Sequence, residues 1–320
     1  MSNQRFTALI QALILTLGTV VAITQPVQGH TGSQPPAGAG EHLQANILDF
    51  IFPNRKKRTR GSRRSTRPVL YVGLPYVLSP RNTAVFDTEA LTLQWQPIEG
   101  ATSYTVEING NGIDWQEEVT GTEATFDELE SLVPNRRYTI VVMTDSGISS
   151  ESDNVGFQLL PETERDRVNA QIDTIKSAQW DADEEALEIA LQYLNFEHSD
   201  SGWRSYALNQ AAIDVLEIRI QAGTEDSRVY LLQADTYLRI GLPLLARERY
   251  EKALTYAEAA GQLELQAESY WGLGDVAQGQ TEYEDALAHL QMSQAFYEDL
   301  SDHEMAEALQ IQIEKLPIAQ

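Results

Sequence analysis

Polar and apolar residues alternate in short runs between residues 76 and 160, and this pattern predicts β-strands. The clearest runs are 91–95, 104–108, 115–119, 124–126 and 137–143. Turn-forming pairs separate some of them, such as Asn109-Gly110 and Asn111-Gly112 in front of Trp115. Because the strands follow one another at spacings of about ten residues with no helix between them, we predict a small all-β sandwich over residues 76–160.

From Pro161 onward the apolar residues recur with a period of roughly 3.6, which is typical of α-helices. Gly and other loop-forming residues separate eight predicted helices, near 162–178, 182–197, 203–221, 225–240, 243–260, 263–279, 282–299 and 301–315. We therefore expect a multidomain chain in which the β-sandwich is followed by an all-α helical array over residues 161–316.

An apolar run, Phe6–Ile23, follows a single charged residue, Arg5, near the N-terminus. Small residues that suit a signal peptidase lie between Thr24 and Gly29. We predict that residues 1–29 are an export signal, with an uncleaved membrane anchor formed by residues 6–23 as the alternative, and a third reading in which the run is neither. On the first two readings the protein is exported and lies in the periplasm or at the cell envelope.

The net charge of −24 is an average over segments of opposite sign. Residues 1–67 carry nine basic and two acidic residues (+7), residues 68–160 carry three and fourteen (−11), and residues 161–320 carry eleven and thirty-one (−20). The acidic body disfavours general binding of nucleic acid, because it would repel the phosphates. The absence of Cys excludes disulfides, thiolate nucleophiles and Cys-based metal sites.

Residues 30–75 are rich in Gly, Pro and basic residues and are predicted to form a disordered linker. Its basic cluster comprises Arg55, Lys56, Lys57, Arg58, Arg60, Arg63, Arg64 and Arg67. One hypothesis is that this cluster is attracted to anionic lipid headgroups or to an acidic envelope polymer. One alternative is a solvated tail, which includes docking of the arm onto the chain's own acidic body, and another is a nuclear or nucleic-acid role, which an exported chain would not have by default.

The predicted β-sandwich resembles a fibronectin type III domain. The resemblance depends on Trp95 in one strand, Tyr104 in the next, and the sequence Leu132-Val-Pro134 with Tyr138 leading into the strand to Met143. It implies that Trp95 belongs to the core and that the Tyr138 hydroxyl bonds a nearby backbone group. Trp115 has two readings, as a core residue or as a surface contact for a sugar or a peptide.

The helical region contains an internal repeat that resembles the tetratricopeptide repeat. One unit has signature residues at Tyr270, Leu273, Gly274, Ala277, Tyr283, Ala286, Leu290 and Ser293. A second unit, 40 residues earlier, has them at Tyr230, Ala234, Tyr237, Gly241, Ala246, Tyr250 and Ala253. A third, weaker unit places Ala212 and Leu216 at second-helix positions, 34 residues before Ala246 and Tyr250. The resemblance implies a solenoid of paired helices, with the first and last helices covering its ends.

In such arrays the first helix of each pair lines a groove that holds a peptide or a partner's helix. Carried over by register, the predicted groove positions are Arg228, Leu231, Asp235, Leu238, Arg239, Glu268, Trp271, Asp275 and Gln278. An exposed Trp271 beside acidic groups would suit a peptide with basic and apolar residues. The other reading of Trp271, in which it packs between repeats, is equally open at this point.

Signatures of catalysis and of cofactor binding are weak in this sequence. Gly272-Leu-Gly274-Asp-Val-Ala277 has the letters of a dinucleotide-binding loop, but it lies inside a predicted repeat helix rather than after a strand. The five His residues show no HxxxH or HExxH spacing. We therefore expect no enzyme activity, no cofactor and no metal.

The order of the predicted segments is similar to that of secreted cyanobacterial proteins. The leading hypothesis is an exported scaffold for protein–protein interaction that binds a partner in the repeat groove. The alternative is a protein of the cell envelope that binds carbohydrate or cell wall through the β-sandwich.

Overall fold

The computed structural model describes residues 73–86, 90–196 and 207–318. A β-rich region, residues 77–159, is followed by helices. The predicted export signal, almost all of the predicted linker and the whole basic cluster lie outside the described residues. Within the described residues no helix is long and apolar enough to cross a membrane.

The β-rich region, called the β domain below, consists of two sheets around one apolar core. The strands are β1 (Val77–Ser79), β2 (Thr83–Val85), β3 (Leu91–Trp95), β4 (Tyr104–Gly110), β5 (Ile113–Val119), β6 (Glu123–Phe126), β7 (Arg137–Thr144) and β8 (Gly156–Leu159). One sheet has the order β1-β3-β6 and the other has the order β2-β8-β7-β4-β5. Neighbouring strands are antiparallel, except that β2 runs parallel to β8.

The alternation seen in the sequence sets which side chains enter this core. Along β7, buried and partly exposed residues alternate, as expected for a strand with one face on the core. Trp95 is fully buried, and its ring meets that of Tyr104 edge to face at a centroid distance of 5.6 Å. The Tyr138 hydroxyl accepts a hydrogen bond from the Val133 backbone N–H at 2.7 Å. The core position of Trp95 and the backbone bond of Tyr138 are therefore confirmed.

Three short strands were not predicted from the sequence. β1 and β2 have three residues each and β8 has four, too few for a period of two to stand out. Their strand conformation depends on pairing with β3, β7 and β8, that is, on partners brought to them by the fold.

The structure has eight α-helices within the described residues. They are α1 (Glu162–Ser177), α2 (Ala182–Leu194), α3 (Asn209–Gln221), α4 (Ser227–Ile240), α5 (Pro243–Ala259), α6 (Leu263–Gly279), α7 (Tyr283–Asp299) and α8 (His303–Ile313). Each helix packs against the next along the chain, and α4 also contacts α2 and α6. This is the arrangement of paired helices that the repeat pattern predicts.

Small residues at repeat positions let these helices approach closely. A Cβ atom at Gly272 in α6 would lie only 2.3 Å from the Tyr250 ring of α5, and one at Gly274 would lie 2.7 Å from the Leu290 side chain of α7. Ala246 and Ala253 are fully buried between neighbouring helices. Gly272 and Gly274 are therefore packing residues, which excludes the dinucleotide-loop reading for this stretch.

The β domain and the helices are joined at an interface that we call the junction, and Arg81 lies at its centre. Arg81 is only 3% exposed, and its Nε donates to the Ile240 carbonyl, the last of α4, at 2.8 Å. Its guanidinium also bonds both carboxylate oxygens of Asp153, the Val77 carbonyl and the Tyr76 hydroxyl. A cation at the C-terminal end of a helix is electrostatically favourable, because the free carbonyls there carry partial negative charge.

Further hydrogen bonds join the edge strand β2 to the start of α3. The Ala84 N–H donates to the Ala207 carbonyl at 3.0 Å, and the Gln210 N–H donates to Thr83 Oγ1 at 3.0 Å. Asn209 Nδ2 donates to the Asn82 carbonyl at 2.8 Å. The β2 edge of the five-stranded sheet is therefore covered by the helical region, which protects it from pairing with a strand of another molecule.

Arg81→Met is expected to lower the free energy of unfolding by about 3–5 kcal/mol, because it removes one partner of a buried ion pair and leaves Asp153 without Arg81. Urea denaturation followed by the helical circular dichroism signal measures this change. Arg136→Met is the control, since Arg136 is exposed, and it should change the free energy by less than about 0.5 kcal/mol. Equal effects of the two substitutions would contradict the central place of Arg81 in the junction.

Candidate functional site

The predicted groove positions on α4 are divided between buried and accessible side chains. Leu231 and Asp235 are buried, and Asp235 Oδ1 accepts a hydrogen bond from the Tyr250 hydroxyl of α5. Leu238 is partly buried, whereas Arg239 in the last turn is exposed. The accessible predicted positions of α4 therefore lie near its two ends, with Arg228 at the start and Leu238 and Arg239 in the last turn.

Arg228, at the start of α4, is paired within its own turn. Asp226 is the N-cap of the helix: its Oδ1 accepts from the Arg228 backbone N–H at 2.9 Å, and its carboxylate bonds the Arg228 guanidinium. Burial lowers the pKa of Arg228, but the hydrogen bond and the negative charge of Asp226 outweigh it and raise the pKa above its ordinary value. Arg228 thus has a local structural role in the capping turn.

On α6 the side chain of Trp271 is 3% exposed. Its Nε1 donates to Gln312 Oε1 of α8 at 3.0 Å, and its ring meets that of Tyr297 edge to face. The reading in which Trp271 is exposed for a peptide is therefore wrong, because α8 and α7 cover it. Trp271 instead packs between repeats, as the second reading predicts. Glu268 is also buried and accepts from the Tyr297 hydroxyl.

A single side chain of α8 contacts the remaining predicted positions of α6. Gln312 Nε2 donates to Asp275 Oδ1 at 2.7 Å and to Gln278 Oε1 at 3.0 Å. Asp275 and Gln278 are both partly exposed. The chain's own last described helix therefore lies against the surface that the repeat register assigned to a partner.

Arg239 lines an open cleft of about 570 Å³ at the junction, which we call the junction cleft. The β domain contributes Asn82, Arg137 and Asn154, and the helical region contributes Ala207, Asn209, Arg239 and Ile240. Of these residues only Arg239 was predicted from the sequence as a site residue. The others were missed because they are separated along the chain and belong to no motif, so only the packing of the two regions brings them together.

Hydrogen bonds hold the walls of the junction cleft in place. Arg137 Nη2 donates to the Asn154 carbonyl at 2.5 Å and to Asn154 Oδ1 at 3.2 Å. Asn154 adopts a left-handed conformation, φ 52°, which turns its carbonyl toward this guanidinium. Gly156 lies beside the same side chain, since a Cβ atom there would be 3.2 Å from Arg137 Nε. Across the cleft, Arg81 holds the Ile240 carbonyl.

Trp115, the candidate sugar contact, is partly buried. Its ring meets that of Phe126 edge to face at a centroid distance of 5.4 Å and packs against the core of the β domain. Packing accounts for this residue, and the carbohydrate-binding alternative stays a prediction. In the described ranges no group of three or more His, Asp or Glu side chains is placed to hold a metal ion.

Comparison with known proteins gives a family match within the helical region. Residues 225–299, which include α4 to α7, match the family model described as tetratricopeptide repeat. No curated protein matches the chain. Two of the three predicted repeat units lie within the match, and the weaker unit around Ala212 lies before it. Tetratricopeptide repeats generally mediate protein–protein interaction and typically act as non-catalytic scaffolds.

Trp271→Ala is expected to lower the free energy of unfolding by about 3–5 kcal/mol, because it leaves a cavity between α6, α7 and α8. Met292→Ala on α7 is the control, since Met292 is 44% exposed and its truncation should cost less than about 0.5 kcal/mol. Chemical denaturation of both variants measures the difference. If the Trp271 variant is as stable as the Met292 variant, the packing reading fails.

Proposed function

We propose that this protein is a non-catalytic scaffold whose tetratricopeptide region binds a segment of a partner protein. The match of residues 225–299 to the tetratricopeptide repeat is the observation that carries the proposal. The contacts of α4 with α2 and with α6 support it, because they bring the first helices of successive pairs side by side. Arrays of this kind bind extended or helical segments along that surface.

Accessible side chains restrict where such a partner contacts the array. Leu238 and Arg239 on α4 and Asp275 and Gln278 on α6 keep exposed area, whereas Leu231, Asp235, Glu268 and Trp271 are buried. The four buried side chains act indirectly, by fixing the helices. We therefore assign the partner contact to the first four residues only.

A capture experiment with the full chain tests this proposal. Leu238→Ala combined with Gln278→Ala should reduce the recovery of specific partners from envelope extracts at least tenfold, because both side chains lie on the proposed contact surface. The matched control is Met292→Ala combined with Leu300→Ala, two exposed apolar residues on and just after α7, away from that surface. Quantitative mass spectrometry gives the recovery. If both variants capture the same proteins in the same amounts as the unmodified chain, the proposal is wrong.

We also propose that the β domain is of the fibronectin type III kind. Its strand order, with β1-β3-β6 in one sheet and β8-β7-β4-β5 in the other, supports this assignment, as does the backbone bond of Tyr138. The Leu132-Val-Pro134 sequence before Tyr138, which resembles a motif of the fibronectin type III family, also supports it.

Export and surface attachment are the third part of the proposal. The apolar run at residues 6–23 supports export, and the basic cluster between Arg55 and Arg67 supports attraction to an anionic membrane surface or envelope polymer. The two activities are compatible, because the scaffold would be held at the envelope while its repeats bind a partner.

Fractionation of bacterial cells that express the full chain tests both export and attachment to an anionic surface. A cleaved signal predicts that the recovered protein begins near residue 30, and intact mass spectrometry reads this directly. Raising the ionic strength to about 1 M, where the Debye length is about 3 Å, should release the cleaved protein from envelope membranes. Recovery of the uncleaved chain in the cytosol would contradict export, and binding unaffected by salt would contradict the role of the basic cluster.

A further inference from the structure

We propose that the free edge of strand β5 is a docking site for the basic cluster of the chain itself, and that residues 55–67 add to the five-stranded sheet there as one more strand. The occupant lies outside the described residues, whereas all residues of the edge lie within them. The inference goes beyond the proposed function, because it needs neither a partner protein nor a membrane. Docking and attraction to an anionic surface use the same cations and therefore compete.

The position and register of β5 are the first argument. β5 is the last strand of the sheet β2-β8-β7-β4-β5, and at the opposite end β2 is covered by the helical region. Asn111 and Gly112 both have positive φ, 49° and 89°, which is the geometry of a two-residue hairpin turn. Gly110 and Ile113, which flank this turn, are therefore the first hydrogen-bonded pair between β4 and β5.

The register leaves a row of backbone groups on the outer side of β5. Bonded and non-bonded pairs alternate along an antiparallel ladder, so every second residue points its N–H and C=O away from β4. These residues are Asp114, Gln116 and Glu118. Within the described residues no other strand pairs with them. Three donors and three acceptors in one row are a template for an additional strand.

Charge selects the kind of strand that this edge accepts. Residues 104–119, which form β4, β5 and their turn, contain four acidic residues and no basic one. Asp114 and Glu118 are exposed, and Glu117 is exposed although alternation places it on the core side. In the described part of the chain none of these three carboxylates forms a salt bridge. Glu118 accepts a hydrogen bond from the Ser103 hydroxyl at 3.1 Å, which does not neutralise its charge.

These carboxylates exclude one occupant and favour another. The β5 strand of a second copy would place like charges opposite one another, which is unfavourable across a strand pair. A strand that carries Lys and Arg instead places opposite charges next to one another. The edge is therefore suited to a basic segment.

The basic cluster has the composition and the spacing that this edge favours. Residues 54–67 contain eight Lys and Arg and no Pro, so each of them has a backbone N–H to donate. Arg60 and Arg64 are four positions apart, as are Asp114 and Glu118. Side chains at i and i+4 of a strand lie on the same face. Two cations of the added strand thus match two carboxylates of β5.

The length of the connection allows the cluster to reach β5. Arg67 is six positions before Gly73, the first described residue, and Arg55 is eighteen positions before it. At about 3.4 Å per residue, these connections span up to about 20 Å and about 60 Å. A domain of about 85 residues has a radius of gyration of about 12 Å, so its edges lie within this reach. The connection also keeps the cluster at an effective concentration on the order of millimolar, which favours it over a basic segment of another molecule.

Amide hydrogen exchange of the full chain, resolved by NMR, tests the proposal. The amides of Asp114, Gln116 and Glu118 should be protected at least tenfold more strongly in the unmodified chain than in a variant with Gln in place of all eight Lys and Arg of the cluster. The Trp115 amide, which faces Ile108 of β4, is the internal reference and should be protected in both proteins.

A second pair of variants changes the edge instead of the cluster. Asp114→Asn combined with Glu118→Gln should lower the protection of the Gln116 amide at least threefold, because it removes the two carboxylates that face the cations. Glu298→Gln combined with Asp299→Asn is the matched control, since it removes the same charges from exposed positions at the end of α7. The control should leave the protection within about twofold of that of the unmodified chain. This pair keeps the test decisive if circular dichroism shows that the eightfold variant is unfolded.

Four outcomes would overturn the proposal. They are unprotected outward amides in the unmodified chain, equal protection with and without the basic cluster, an equal loss of protection in the α7 control, and protection that disappears on dilution. The last outcome would assign the added strand to the cluster of another copy. Because the measurement uses the purified protein alone, its failure leaves the capture of a partner unaffected, and failure of the capture experiment leaves docking unaffected.

Discussion

The guanidinium of Arg81 is the group on which the arrangement of the two regions depends. It bonds Asp153 and the Val77 carbonyl inside the β domain, and it bonds the Ile240 carbonyl at the end of α4. A buried cation is tolerated only when its hydrogen bonds and its charge are satisfied, and here part of that satisfaction comes from the other region. The β domain is therefore not structurally independent, because one of the hydrogen bonds of its buried Arg81 is made to the helical region.

In a short helical array most helix faces are covered by neighbouring helices. This explains why side chains of the chain itself fill most of the predicted groove. Long solenoids can leave the inner face of their first helices open, since each pair is supported by pairs on both sides. Here α8 packs on α6, and Trp271 and Glu268 face protein instead of solvent. The side chains that remain accessible are at the edges of the array.

Sequence periodicity predicted the eight helices to within a few residues, except that α3 begins at Asn209 and not near residue 203. It succeeded because burial on one face of a helix is a local property with a fixed period. It could not decide whether Trp271 is exposed, because exposure depends on whether α8 folds back over α6, and no local pattern contains that information. The junction cleft was beyond prediction for the same reason. Asn82, Arg137 and Arg239 share no motif, and only tertiary packing unites them.

The junction also constrains the order in which the molecule can be assembled. Its bonds from Arg81 to Ile240 and from Tyr76 to Gly241 connect residues 159 and 165 positions apart. At ordinary rates of translation Arg81 leaves the ribosome about 10–30 s before Ile240 does. During that interval Arg81 lacks its bond to Ile240, and the β2 edge of the nascent β domain is uncovered. Both groups can then form hydrogen bonds with other chains. Residues 68–160 and 161–320 both carry net negative charge, −11 and −20, so these parts of neighbouring chains repel one another until α4 is made.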